Sequence, residues 1–181
     1  MQLFGFGASP KPRTPVSHCF PLNGNLSDAS VDGVAGMNSQ YLESVKAVDF
    51  SGPTNAAPCI LKQVQDAKTR VLSVSGPLTY TVLLVLTDGD LDDMSATLEA
   101  CAAASDMPMS IIFVGIGKCT FESMGPLRSG TPPGASRSCV SFIRMEDYGA
   151  GATARLRAKV LADLPGQVEQ FFITKGIAAK R

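Results

Sequence analysis

Two runs of this chain carry apolar residues at odd and even positions alike, and they constrain the fold more than any other feature. Tyr80-Thr81-Val82-Leu83-Leu84-Val85-Leu86-Thr87 is one, closing at Asp88-Gly89. Met109-Ser110-Ile111-Ile112-Phe113-Val114-Gly115-Ile116-Gly117 is the other. A strand with one wet face alternates apolar and polar residues, whereas a run without alternation suits a parallel strand covered on both faces. Between the runs, Met94 to Ser105 places Met94, Leu98, Cys101 and Ala102 at helical spacing. Strand, helix, strand in that order predicts a right-handed crossover between parallel strands.

The flanking segments extend the pattern. Leu3 to Gly7 reads as a short strand, paired with Cys19 to Asn23 across a Pro-rich loop from Ser9 to Pro15. Val31 to Val45 and Asn55 to Lys68 read as helices, and Cys139 to Met145 as a last strand. Ala152 to Lys175 predicts a closing helix, with Leu156, Val160, Leu161, Leu164, Val168, Phe171 and Phe172 on its apolar side. Pro165 kinks or splits it. Gly130-Thr131-Pro132-Pro133-Gly134 is a loop. The expectation is an α/β fold of three layers, a mostly parallel sheet with helices on both faces, forming one domain over residues 1–181.

Composition narrows the function classes. The chain has 181 residues, of which 45% are hydrophobic and 18% charged, enough for a sizeable core. Its 16 basic and 16 acidic side chains cancel, so there is no electrostatic footprint for nucleic acid or for an anionic membrane surface. No apolar run reaches the length of a spanning helix, and Met1 to Gly5 lacks the pattern of a secretory signal. The five cysteines, Cys19, Cys59, Cys101, Cys119 and Cys139, are widely spaced without a C-x-x-C. Reduced thiols inside a cell, mostly acting as small buried hydrophobes, are the simplest reading.

Ligands of open α/β sheets bind beyond the carboxyl ends of the strands. Asp88 stands there, in Thr87-Asp88-Gly89-Asp90, and Gly89 lets the backbone turn. A carboxylate so placed either ligates a hard cation or simply makes the turn. Asp90, Asp92 and Asp93 suit the N-terminus of the next helix. Thr54, in Gly52-Pro53-Thr54-Asn55, precedes a helix, where it either caps that helix or offers a hydroxyl to a cation. His18 is the single histidine and neighbours Cys19; adjacent strand residues point to opposite faces, so the pair does not read as nucleophile and base. Gly5-Phe6-Gly7 and Gly115-Ile116-Gly117-Lys118 complete no phosphate-binding loop.

In sequence, these segments resemble the copine family. Gly52-Pro53-Thr54-Asn55 with Ala57-Pro58, Leu83 to Met94, Pro108 to Gly117, Leu3 to Ala8, Phe20 to Asn23, and Leu164-Pro165-Gly166-Gln167 to Phe172 are similar to copine segments in the same order. The resemblance implies a von Willebrand factor A fold with a metal-ion-dependent adhesion site built from Asp-x-Ser-x-Ser, a Thr and an Asp. Thr54 and Asp88 match the last two, with Asn55 and Asp90 as neighbouring contacts. The Asp-x-Ser-x-Ser element, carried by a central first strand, has no counterpart here, so the domain is expected to be N-terminally incomplete.

The resemblance therefore implies a non-enzymatic protein-interaction domain with a partial divalent-cation site, taking Mg²⁺, or Mn²⁺ or Ca²⁺, weakly or not at all. Its partner would be a protein, engaged through an acidic side chain, with no nucleic acid and no direct membrane insertion. A cytoplasmic protein in signalling and membrane trafficking is implied as well. Membrane association would come through calcium- and phospholipid-binding C2 domains that this sequence lacks. The alternatives are a metal-free scaffold that interacts through helix faces or strand addition, and a nucleotide-binding enzyme.

Overall fold

The computed structural model describes residues 1–11, 15–72, 78–149 and 151–177. The chain divides into two compact units, Met1–Cys59 and Ile60–Arg181.

In the first unit, β1 (Phe4–Gly5) pairs antiparallel with β3 (Phe20–Pro21), and β2 (Ala8–Pro10) pairs antiparallel with β4 (Val48–Phe50). Helix α1 (Gly33–Ala47) leads into β4. The β1–β3 pairing needs a glycine, because a Cβ on Gly5 would lie 2.6 Å from the Phe20 ring. The amino terminus is tied down by backbone bonds from Leu3 N–H to Ala29 O and from Val31 N–H to Met1 O. An exposed ion pair between Lys11 and Asp49, 3.3 Å apart, straddles β2 and β4 and is worth at most about 1 kcal/mol.

The second unit holds a three-stranded parallel sheet in the order β5 (Thr81–Thr87), β6 (Met109–Gly115), β7 (Val140–Arg144). The crossover from β5 to β6 is α3 (Met94–Ala104), as the spacing predicts. Every residue of β6 is buried, which requires cover on both faces of the central strand. One cover is α4 (Thr153–Leu161), whose Leu156 and Val160 pack on Ile112, Val114 and Ile143. Helix α3 also packs on β6, and its inner stripe buries Thr97, Ala100, Cys101 and Ala104. The last helix, α5 (Leu164–Thr174), sets Phe171 edge-on to Tyr80, with ring centroids 6.0 Å apart. Helix α2 (Ala57–Leu72) carries the division between the units within its first turn.

Several expectations need correcting. The Ser9 to Pro15 stretch is not all loop, since Ala8–Pro10 is a strand; Pro10 is tolerated in a short edge pairing. Part of that stretch lies outside the described residues. Strand β5 is not buried on both faces. Val82, Leu84 and Leu86 are 45%, 52% and 50% exposed, because β5 is an edge of its sheet and only its alternate face is covered. The C-terminal helix, by contrast, is split as expected into two helices, and Pro165 sits in the first turn of α5, where its missing N–H leaves no bond unmade.

Candidate functional site

Asp88 lies where the strand pattern puts it, just past the carboxyl end of β5, and it is exposed. The turn after it is fixed by the buried Thr87 hydroxyl, which donates to Gly89 O at 2.8 Å. Asp90 is exposed in the same loop. Asp93 occupies the position before α3 and accepts a 3.0 Å hydrogen bond from the Thr97 hydroxyl. That is the structural role expected of an acid at a helix N-terminus.

The neighbouring strand ends complete this rim of the sheet. Ile116 N–H donates to Thr87 O at 2.8 Å, extending the β5–β6 ladder to its last turn. Gly115 has no room for a side chain, because a Cβ there would meet the Phe121 ring at 2.7 Å. Phe121 is itself held at φ 54°, a left-handed backbone that bulky residues rarely adopt, and is 1% exposed. Its ring lies 5.8 Å from that of Phe142 in β7. At the end of β7, Arg144 reaches Glu146 at 3.4 Å and Asp147 at 3.8 Å. The strained Phe121 had no sequence signal, since nothing in Cys119-Thr120-Phe121-Glu122 marks a positive φ.

Thr54 belongs to the first unit. It is half-buried in the loop that leads from β4 to α2, after a cis Gly52–Pro53 bond. A backbone bond ties this loop to the turn between β1 and β2: Ser51 N–H donates to Gly7 O at 3.1 Å, and Gly7 itself is at φ 71°. Asn55 is half-buried, and Ala56 and Ala57 beside it are buried. The loop is thus a fixed feature of its unit. Asp88 and Thr54 are each positioned by their own unit's backbone, the first by a parallel strand and the second by a helix entry.

The donor chemistry can be tested against a divalent cation. A Thr hydroxyl and an Asp carboxylate are oxygen donors of the kind hard cations take. Two are well short of the roughly six oxygens Mg²⁺ prefers. Among the described residues no three His, Cys, Asp or Glu side chains cluster as a ligand set.

His18 is half-buried in a bend before β3, with its Nδ1 atom buried and unpartnered. It stands at the junction of loop and strand, two residues before β3 begins at Phe20. No helix among the described residues is long and apolar enough to cross a membrane.

The family model for copines matches residues 1–180. That range takes in both strand runs, the Gly52 to Asn55 loop, the turn at Asp88 and the closing helices. On this near-complete match, the chain belongs to the copine family.

Proposed function

We propose that this chain is a non-enzymatic protein-interaction domain, and that its interaction surface centres on the carboxyl-end rim of the β5–β6–β7 sheet. Family membership supports an interaction role. The single observation that carries the choice of surface is Asp88, an exposed carboxylate on a fixed turn at the end of a parallel strand. In the finer form of the reading, Asp88 contributes an oxygen to a weakly held Mg²⁺ or Mn²⁺, with Asp90 nearby in sequence, and Thr54 and Asn55 are the first unit's candidates for the same role. A cation held that way keeps open coordination positions and accepts a carboxylate from the partner protein. The pairing of Thr54 with Asp88 rests on the sequence resemblance.

A second reading is favoured by β5 itself. Among the described residues its outer edge joins no ladder of its own sheet, and Val82, Leu84 and Leu86 are half exposed on one face. A sheet edge with alternating apolar side chains can accept an extended partner strand without any metal.

Isothermal titration with Mg²⁺ and with Mn²⁺ separates the two. Binding heat in the wild type that disappears in Asp88→Ala supports the cation-dependent reading, with weak affinity and a melting-temperature rise of no more than a degree or two. Blank traces for both proteins remove the cation and leave the strand edge as the interaction surface.

A further inference from the structure

We propose that Cys19 and Cys59 form a peroxide-responsive dithiol, oxidised to a disulfide that staples the entry of β3 to the first turn of α2. Nothing in the interaction reading uses these residues, and both lie in the first unit.

The geometry is that of a poised pair. Cys59 is 8% exposed, and its Sγ lies 3.2 Å from His18 O and 3.9 Å from Gly5 O. Those contacts hold its side chain against the residue preceding Cys19. The two thiols are in hydrogen-bonding contact, and this bond, followed by burial, holds the Cys59 thiol far above its usual range. Cys59 therefore keeps its proton at neutral pH. Cys19 is only half-buried, so it is the member that solvent reaches. A disulfide needs sulfurs about 2.05 Å apart and Cα atoms within about 7 Å. With the Cys59 sulfur 3.2 Å from the carbonyl oxygen of the residue before Cys19, the two side chains start from neighbouring positions.

The second close pair shows what the first adds. Cys139 Sγ sits 3.6 Å from Cys101 O, but both residues are 0% exposed. Burial pushes the Cys139 thiol up to about 11 and the Cys101 thiol higher still. Peroxide has no access to either, and neither supplies thiolate near neutral pH. Proximity without access makes Cys101 and Cys139 structural.

The steps balance with a peroxide as oxidant. The Cys19 thiolate attacks one peroxide oxygen; an S–O bond forms, the O–O bond breaks, and the leaving hydroxide takes up the thiol proton as water. Cys59 sulfur, losing its proton, then attacks the sulfenic sulfur of Cys19; the S–S bond forms and the S–O bond breaks. The second hydroxide leaves as water with the Cys59 proton. Two thiols and one hydrogen peroxide thus give one disulfide and two waters, two electrons passing from sulfur to oxygen.

The staple would close the loop from residue 19 to residue 59, which spans much of the unit, and restrict its unfolded state. It would also anchor the helix turn that comes after the Thr54 loop.

The test uses the full chain, fully reduced and then exposed to a small molar excess of hydrogen peroxide. Free thiols are blocked in denaturant, disulfides are reduced and labelled with a second reagent, and peptides are mapped. The expected result is loss of two of the five thiols. A peptide linking Cys19 to Cys59 should appear, with a melting temperature several degrees higher that dithiothreitol reverses. Cys19→Ser, at a half-buried position that tolerates an isosteric hydroxyl, should lose both the linked peptide and the shift. Three outcomes overturn the proposal: all five thiols surviving, Cys19 oxidised while Cys59 stays a thiol, or Cys19 linked to Cys119 or to a second chain.

Discussion

Arg137 is 5% exposed, yet among the described residues no carboxylate pairs with its guanidinium. Its charge is instead met by carbonyl oxygens: Met107 at 2.8 Å, Met109 at 2.6 Å, Ser138 at 3.0 Å and Gln167 at 3.2 Å. The rings of Phe171 and Tyr80 lie 5.4 and 6.0 Å from its central carbon. One side chain thus ties the start of β6 to the approach of β7 and to α5. Hydrogen bonds to a charged donor are worth about 1.5–3 kcal/mol each, and removing the donor strands several buried acceptors at once. Arg137→Met should cost about 3 kcal/mol or more in urea unfolding, and Arg137→Lys only somewhat less, because an ammonium cannot fork between four carbonyls. A loss below about 1 kcal/mol for the Met variant would show that the carbonyls find other partners. Nothing in Ser136-Arg137-Ser138-Cys139 announces this role, since an arginine between serines reads as a wet loop. A lone residue's burial depends on what the rest of the chain folds around it, and local pattern carries no record of that.

Elements were legible in proportion to their length and periodicity. Both long apolar runs are strands, the segment between them is a helix, and the parallel order follows. The two-residue and three-residue strands of the first unit were not, apart from the rough positions of β1 and β3, because so few residues display no alternation. β5 misled in another way: its composition matches a buried strand, but it is an edge, and an edge is a property of the sheet. The close approach of Gly115 to Phe121 is of the same kind, created by the loop after β6 folding back over the strand's last residue. Gly115→Ala should displace the Phe121 ring and lower stability by about 1–3 kcal/mol, the usual cost of overpacking a buried site. Thermal unfolding, with nuclear magnetic resonance shifts at Phe121 and Phe142, would check it. An unchanged melting temperature would mean that the loop yields without loss.

At the scale of the molecule, the two units differ in what holds them. Among the described residues, the buried apolar ones of Met1–Cys59 are Ala8, Phe20, Ala29, Ala56, Ala57 and Cys59, mostly small. Those of the second unit include Ile111, Phe113, Phe121, Met124, Leu127, Val140 and Phe142. At about 25 cal/mol for each Å² of apolar surface removed from water, the second set contributes several times more. Thr54 belongs to the first unit and Asp88 to the second. Both were legible only through the order of short motifs, because a lone Thr before a helix and a lone Asp after a strand are ordinary residues. The difference in cores has a consequence that hydrogen exchange can read. Amides of Ile111 and Phe113 sit in the central strand, hydrogen-bonded on both sides and fully buried, and should exchange only when the whole second unit opens. Amides of the two-residue β1–β3 ladder rest on a thin core and should exchange about a hundredfold faster or more, a gap of about 3 kcal/mol in opening free energy. Equal protection in the two units would mean that they open as one cooperative body, and the small core of the first would then need support from outside itself. Peroxide treatment adds a second arm to the same measurement. If Cys19 and Cys59 join, protection should rise in the first unit and stay unchanged at β6, because the staple restricts only the chain it closes.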